Sequence, residues 1–165
     1  MIKRNQFLHA AIVATLMSTT GIALAGGTHT IAVSASVTGT CIVNTSNSTL
    51  AFGALDPGSG GTVSAVWSGG TFRCTNGTAY TIASNDGLWS SAAGGANNRM
   101  RLSTATDCST ATNCVRYTMT KAANGTGSGM TTNISFAVTG TTGIADYQNA
   151  AAGSYADTVT LTVAP

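Results

Sequence analysis

Side chains that could perform acid–base or nucleophilic chemistry are few in this sequence and widely separated. Beyond residue 25 there is one histidine, His29, there is no glutamate, and the aspartates are scattered. A nucleophile needs a nearby base and an orienting group, and glycoside hydrolysis needs two close carboxylates. Asp86, which precedes Gly87, is typical of a turn, and Asp157 stands at a strand entrance. The sequence therefore predicts a protein that is not an enzyme.

The four cysteines Cys41, Cys74, Cys108 and Cys114 are the second set of residues with possible chemistry. Four cysteines allow three pairings. We favour Cys41 with Cys74, which would join an N-terminal strand to a later one, and Cys108 with Cys114, which closes a short polar loop. The alternative is a metal site, but Cys-x-x-Cys spacing is absent and His29 is the only histidine nearby. We predict two disulfide bonds, no metal and no cofactor.

Two other pairs of side chains could form a binding site. Arg99 and Arg101 share one face of a predicted strand and could bind an anion, or they could be solvated or internally paired. Trp67 and Trp89 could stack on a sugar, or they could fill the core. The sequence favours the structural interpretation for both pairs and leaves the other open.

Charge excludes one class of partner. After residue 25 the cationic side chains are Arg73, Arg99, Arg101, Arg116 and Lys121, and they are balanced by Asp56, Asp86, Asp107, Asp146 and Asp157. Binding to nucleic acid depends on a cluster of Lys and Arg that neutralises phosphates. We therefore expect no nucleic-acid partner.

The first 25 residues have the pattern of a secretory signal peptide. Lys3 and Arg4 precede an apolar stretch over residues 7–17, and Ala23-Leu24-Ala25 matches the small-x-small pattern at which signal peptidase cuts. Ser18 and the threonines that follow it interrupt the apolar run, which is too short for a membrane anchor. We expect residues 26–165 to be exported as one domain without a membrane span.

The exported part is rich in Thr, Ser, Ala, Gly, Asn and Val, and this composition favours strands over helices. Asn76-Gly77 and Asn124-Gly125 are typical of hairpin turns, and Asp56-Pro57-Gly58 is typical of a turn with proline in second place. Many short strands with such turns predict an all-β sandwich or barrel. The candidate strands are residues 40–43, 49–52, 63–67, 71–74, 80–84, 99–103, 115–120, 132–138 and 158–163.

The segment that opens the exported chain also alternates. Ile31, Val33, Ala35 and Val37 are separated by mostly small polar residues, so an extended strand would present them on one face. Gly39 is a possible hinge between this segment and Cys41. The segment is either the first strand of its own domain or a strand that fills the groove of a neighbouring molecule.

Several blocks in a fixed order resemble the spore coat protein U domain, the domain of archaic chaperone-usher (Csu-type) pilins. Cys41 is followed by Leu-Ala-Phe-Gly at residues 50–53, Phe-Arg-Cys at 72–74, Asp-Gly at 86–87 and Arg-Met-Arg-Leu at 99–102. Val-Arg-Tyr-Thr-Met follows at 115–119. The most specific block is Gly-Ser-Tyr-Ala-Asp-Thr-Val-Thr-Leu-Thr-Val at 153–163. Cys108 and Cys114 depart from the pattern and look like an added local disulfide.

The resemblance implies an incomplete immunoglobulin-like β-sandwich that lacks its final strand and is completed by donor-strand exchange. The expected domains are a signal peptide at 1–25, a donor segment at 26–38 and a pilin domain at 39–165. Val159, Leu161 and Val163 would line the edge of the acceptor groove. No strand follows them in the sequence, so we expect the donor residues Ile31, Val33, Ala35 and Val37 of another subunit to fill the vacancy.

The resulting hypothesis is a subunit of a surface pilus that supports adhesion and biofilm formation. Its expected partners are identical or related pilins, a periplasmic chaperone and an outer-membrane usher, and its expected route is through the periplasm to the cell surface. The alternative is a non-polymerising coat or matrix protein of the same domain type, or a carbohydrate-binding surface protein that uses Trp67 or Trp89.

Overall fold

The computed structural model describes residues 26–90 and 98–165, so the predicted signal peptide lies outside the described residues. The chain divides into two units, Met1–Ala35 and Ser36–Pro165. In the described part of the first unit, residues 26–35, every residue is exposed and none belongs to a helix or strand. The alternating segment is therefore not paired into a sheet of this chain, and its apolar side chains face solvent.

The regular secondary structure of the second unit is almost entirely β-strand, as the composition predicts. Its described part contains nine strands and one short helix, namely β1 (Cys41–Val43), β2 (Val63–Cys74), β3 (Ala79–Ser84), β4 (Asn98–Leu102), β5 (Cys114–Lys121), β6 (Gly125–Thr126), β7 (Ile134–Thr142), α1 (Ile144–Tyr147), β8 (Tyr155–Ala156) and β9 (Leu161–Ala164). The prediction of an all-β protein is confirmed.

The strands of the described chain form two sheets, and neighbouring strands run antiparallel. The larger sheet has the order β1-β2-β7-β5-β4-β8, and the smaller has the order β6-β3-β9. Side chains alternate between the two faces of a strand, so each sheet turns one apolar face inward. The inner faces supply the cluster of Phe72, Cys74, Ile82 and Phe136, against which Trp67, Leu161 and Val163 pack.

Most strand predictions are confirmed, and the exceptions have physical causes. Residues 63–67 and 71–74 belong to one strand, β2, which continues through an irregularity between Ser68 and Gly70 where Gly69 has a φ of +117°. Residues 49–52 do not form a strand. Leu50 and Phe52 are partly buried, but the backbone of the segment has no neighbouring strand with which to pair. The predicted strand at 158–163 is shorter and begins at Leu161.

The two Asn-Gly steps do not form hairpins, so that prediction is wrong. Each step carries the chain from one sheet to the other, since β2 and β5 lie in the larger sheet while β3 and β6 lie in the smaller. At the first step the Thr78 N–H donates to the Thr75 carbonyl at 3.1 Å, and only Gly77 has a positive φ. A positive φ at the second central residue alone gives a type II turn, which does not match the twist of a hairpin.

Two disulfide bonds join Cys41 to Cys74 and Cys108 to Cys114. This is the pairing favoured from the sequence. The first bond connects opposite residues of β1 and β2. The second closes the loop that leads from β4 into β5.

Candidate acceptor groove

An open apolar cavity of about 580 Å³ runs between the two sheets. We call it the groove. Its floor is the inner face of the larger sheet, and one side is the chain that enters and forms β9. Its apolar lining consists of Val43, Leu50, Phe52, Trp67, Met100, Tyr117, Met119, Phe136, Val138, Tyr155, Val159, Leu161 and Val163.

The three residues predicted to line the acceptor edge all lie along this groove. Val159, Leu161 and Val163 are half-buried, whereas Thr158, Thr160 and Thr162 are exposed. This alternation arises because residues at a spacing of two share one face of an extended chain. β9 pairs with β3 on one side and is the last strand of its sheet on the other. Within the described chain, the outer edge of β9 is therefore open to another strand.

The side of the groove across from β9 is formed by residues 45–52, which the sequence did not assign to it. Within the described chain these residues make no backbone–backbone hydrogen bond. Leu50 and Phe52 anchor the segment by packing closely against Gly140 of β7. A Cβ atom added at Gly140 would lie only 2.8 Å from Leu50 and 2.7 Å from Phe52. Phe52 also packs edge-on against Tyr117, with ring centroids 5.6 Å apart. The spacing of two between Leu50 and Phe52 was the sequence signal that could have assigned this segment to the groove. It indicated that both side chains face inward, although no strand forms.

A second cavity of about 680 Å³ shares part of this lining. It lies beneath the loops at 51–57 and 150–154, above Met100, Val115 and Tyr147. Leu50, Phe52, Met100 and Tyr155 border both cavities. The apolar space therefore extends beyond the end of β9.

Asp157 lines the groove and holds two of its elements together. Its Oδ2 accepts a hydrogen bond from the Tyr117 hydroxyl at 2.7 Å, and its Oδ1 accepts from the backbone N–H groups of Leu88 and Thr158, both at 2.8 Å. A Cβ atom at Gly87 would lie 2.2 Å from Oδ2, so the Asp-Gly step leaves space for this carboxylate. Asp157 thus connects β5 of the larger sheet with the chain entering β9, and it acts as a structural acceptor here.

Removing the Tyr117 hydroxyl should destabilise the connection between β5 and the chain that enters β9. Burial first, and then the hydrogen bond to Asp157, raise the pKa of Tyr117 above its ordinary value. Unfolded tyrosine loses its proton near pH 10, so the stabilisation is fully present below pH 10 and is lost as the pH rises further. We expect Tyr117→Phe to lower the free energy of unfolding at pH 7 by about 2 kcal/mol. Urea denaturation from pH 7 to 11 should also show a weaker alkaline loss of stability in the variant, and an unchanged alkaline loss would contradict this role.

The other candidate residues have structural contacts. Arg99 donates to the Cys108 carbonyl at 3.1 Å, and Arg101 donates to the Ala105 carbonyl. The Arg101 guanidinium also lies 4.0 Å from the centre of the Trp89 ring. The two arginines therefore hold the disulfide loop against β4, in agreement with the internally paired interpretation. Trp67 lines the groove.

Three further aspartates have local partners. Asp56 accepts from the Gly58 N–H at 2.8 Å within the predicted proline turn, and Asp146 pairs with Arg116 at 2.8 Å. Asp107 accepts hydrogen bonds from the Ser109 side chain and backbone, which lower the pKa of its carboxyl.

The described residues contain no group of three or more His, Cys, Asp or Glu side chains placed to hold a metal ion. The described residues also include no helix that is both long and apolar enough to cross a membrane.

The segment that precedes β1 is anchored only from Thr38 onward. The Thr75 hydroxyl donates to the Thr38 carbonyl at 3.4 Å and accepts from the Thr40 N–H at 3.1 Å. Gly39 has no positive φ. It packs closely against Thr78, because an added Cβ atom would lie 2.9 Å from the Thr78 methyl group. Its role as a hinge stays a prediction. Exposed fractions are 74% for Ile31, 89% for Val33 and 84% for Val37.

These features define a class of protein, a two-sheet β domain with an open apolar groove and an exposed apolar segment near its start. Residues 27–162 match the family model of the Spore Coat Protein U domain. The match covers most of the chain, and the protein belongs to this family.

A solved structure with a similar chain is the CsuC-CsuE chaperone-tip adhesion subunit pre-assembly complex from archaic chaperone-usher Csu pili of Acinetobacter baumannii. The sequences are 20% identical, the TM-score is 0.42, and the alignment covers 77% of this chain and 40% of that chain. This chain thus spans less than half of the length of that relative. No curated protein matches the sequence.

Proposed function

We propose that the protein is a structural subunit of a chaperone-usher pilus that polymerises by donating residues 26–38 to the groove of a neighbouring copy. The observation that favours this function is a complementary pair of features within one chain. An open apolar groove lies along Val159, Leu161 and Val163, and an exposed segment alternates apolar and polar residues. Membership of the Spore Coat Protein U family agrees with the proposal.

The occupant of the groove is a strand of a second copy. The outer rim of the groove is the unpaired edge of β9. The backbone of residues 45–55 also makes no backbone hydrogen bond within the described chain. A strand laid along this rim could form ladder hydrogen bonds, which supply affinity, while its inward side chains supply specificity. An isolated polar or charged ligand would neither pair with the open backbone edge nor cover the apolar lining of the groove.

The hydrophobic contribution is large enough to support assembly. Ile31, Val33 and Val37 are exposed in the free chain. Transferring all three into the groove would contribute about 4.5 to 9 kcal/mol, at roughly 1.5 to 3 kcal/mol for each large side chain. Exposed apolar segments and open strand edges are aggregation hazards, which cells restrain by covering them. A periplasmic chaperone that occupies the groove before assembly, and an outer-membrane usher that receives the subunit, follow from the same proposal.

Contacts between the donor segment of one copy and the groove of the next are heterologous. Such contacts leave one groove and one donor segment free at the two ends, so they propagate as a fibre unless the geometry closes a ring. The exported protein would thus form a surface fibre, which could support adhesion and biofilm formation. The domain boundaries proposed are a signal peptide at 1–25, a donor segment at 26–38 and a pilin domain at 39–165.

Gel electrophoresis of the exported protein tests this function. We expect a ladder of SDS-resistant species without boiling that collapses to monomer after boiling. Deleting residues 26–38 should remove the ladder, because the groove would remain without an occupant. A wild-type protein that migrates only as monomer under both conditions would refute polymerisation by strand donation.

A further inference from the structure

Trp67 provides the bulkiest side chain of the groove wall and lies between the ends of the groove. It is half-buried on β2 and stands opposite Val138 of β7. In the sheet order β1-β2-β7-β5-β4-β8, Val43 of β1 lines the groove on one side of Trp67. Met100 of β4 and Tyr155 of β8 line it on the other side. A strand in the groove would therefore meet the indole ring with its inner residues rather than with its ends.

Close contacts with Phe136 and Gly70 restrict the indole ring of Trp67. It packs edge-on against Phe136, with ring centroids 5.4 Å apart and an angle of 70° between the planes. Gly70 lies against both rings, since a Cβ atom there would come within 2.5 Å of each. The irregularity in β2 between Ser68 and Gly70 places this glycine against the rings. The bulk of Trp67 is thus a fixed feature of the groove wall.

The donor segment has one small side chain among three large ones. Its apolar face reads Ile31, Val33, Ala35 and Val37, so Ala35 is an inner position whichever way the strand runs along the groove. We propose that Trp67 sets the register of the incoming strand by accepting only the small side chain of Ala35 beside it. This inference rests on the proposed function and adds a specificity-determining residue to it.

Other registers are disfavoured for distinct reasons. A slip of two residues would place Val33 or Val37 against the fixed indole ring, and overpacking of a rigid wall is destabilising. A slip of one residue would turn Ser34 and Ser36 into the apolar groove and the valines out to solvent. Only the register with Ala35 beside Trp67 places all the apolar residues inward without such a clash.

Exchange of a labelled peptide with the full exported protein tests this pairing. A fluorescent peptide of residues 28–38 is incubated with wild-type protein and with Trp67→Ala, and SDS-resistant labelling is measured without boiling. We expect the peptide with Ala35→Leu to label wild-type protein at least 10-fold less efficiently than the unmodified peptide. On the Trp67→Ala protein, labelling by the Ala35→Leu peptide should recover to within about 3-fold of labelling by the unmodified peptide, because the removed indole leaves room for leucine.

Control variants separate register from general destabilisation. Met119→Ala enlarges another part of the groove and should not restore labelling by the Ala35→Leu peptide. Trp67→Phe keeps an aromatic ring beside Phe136 and should give partial recovery, which provides a second measurement if Trp67→Ala fails to form both disulfide bonds. Equal labelling of wild-type protein by both peptides would overturn the register role, as would a loss that neither Trp67 variant relieves. Failure of the unmodified peptide to label wild-type protein would instead refute strand donation itself.

Discussion

Val33→Asp should abolish the SDS-resistant ladder, whereas Ser34→Asp should leave it intact. Val33 lies on the apolar face of the donor segment and Ser34 on the polar face, so the same charge is added to opposite sides of one strand. In the proposed fibre the first carboxylate would be buried among apolar groove residues without a partner, which costs several kcal/mol. The second would face solvent. We expect at least a 100-fold loss of assembly for the first variant.

The free subunit provides the control for this experiment. Val33 and Ser34 are both exposed in the unassembled chain, so neither substitution removes a packed contact. Surface substitutions of this kind usually change the free energy of unfolding by less than about 0.5 kcal/mol. Both variants should therefore unfold at the urea concentration of the wild type. A ladder that survives Val33→Asp, or that both variants lose equally, would contradict a face-specific donor strand.

Removing the Cys41–Cys74 disulfide should destabilise the subunit far more than removing the Cys108–Cys114 disulfide. The first bond spans a sequence separation of 33 residues and the second a separation of 6. By loop entropy they contribute about 3.7 and about 2.2 kcal/mol respectively. The first bond also joins β1 to β2, and Cys74 is fully buried in the core cluster. The larger loss is a substantial part of the stability of a typical domain.

Paired alanine variants allow the comparison to be measured. Cys41→Ala with Cys74→Ala should lower the free energy of unfolding in urea by about 3 to 4 kcal/mol, and Cys108→Ala with Cys114→Ala by about 2 kcal/mol or less. Both variants retain an even number of cysteines, which avoids unpaired thiols. Equal losses, or a larger loss for the second pair, would show that Arg99 and Arg101 make the local loop more important than its length implies.

The sequence was sufficient to predict the fold class and most strands. Its abundant Thr and Val, its short alternating runs and its Gly-rich breaks are local properties, and strand formation follows them. The pairing of cysteines was also predictable, because one pair is close in sequence and the other then follows. The location of Val159, Leu161 and Val163 along the groove agrees with their alternation and with the resemblance to the spore coat protein U domain.

The incorrect predictions concern contacts between distant segments. Asn76-Gly77 and Asn124-Gly125 have the local chemistry of hairpin turns, but the two strands that flank each step belong to different sheets. Each step therefore connects one sheet to the other. Residues 49–52 have an inward-facing pattern, but strand assignment requires a paired backbone that no local pattern provides. For Arg99 and Arg101 the sequence favoured the structural interpretation correctly but left an anion site open. Only the folded position of the Cys108 loop shows that the two arginines donate to its carbonyl groups.

The sequence by itself determined a β-rich chain with four cysteines and an apolar alternation at residues 31–37, because these properties depend on residue type and on a spacing of two. Only the tertiary structure decided that this alternation stays exposed while an apolar groove opens beside β9. It also decided that Trp67 lines the groove, fixed against Phe136 and Gly70. The burial of a side chain depends on which surfaces pack together, and these surfaces contain residues that are far apart in the chain.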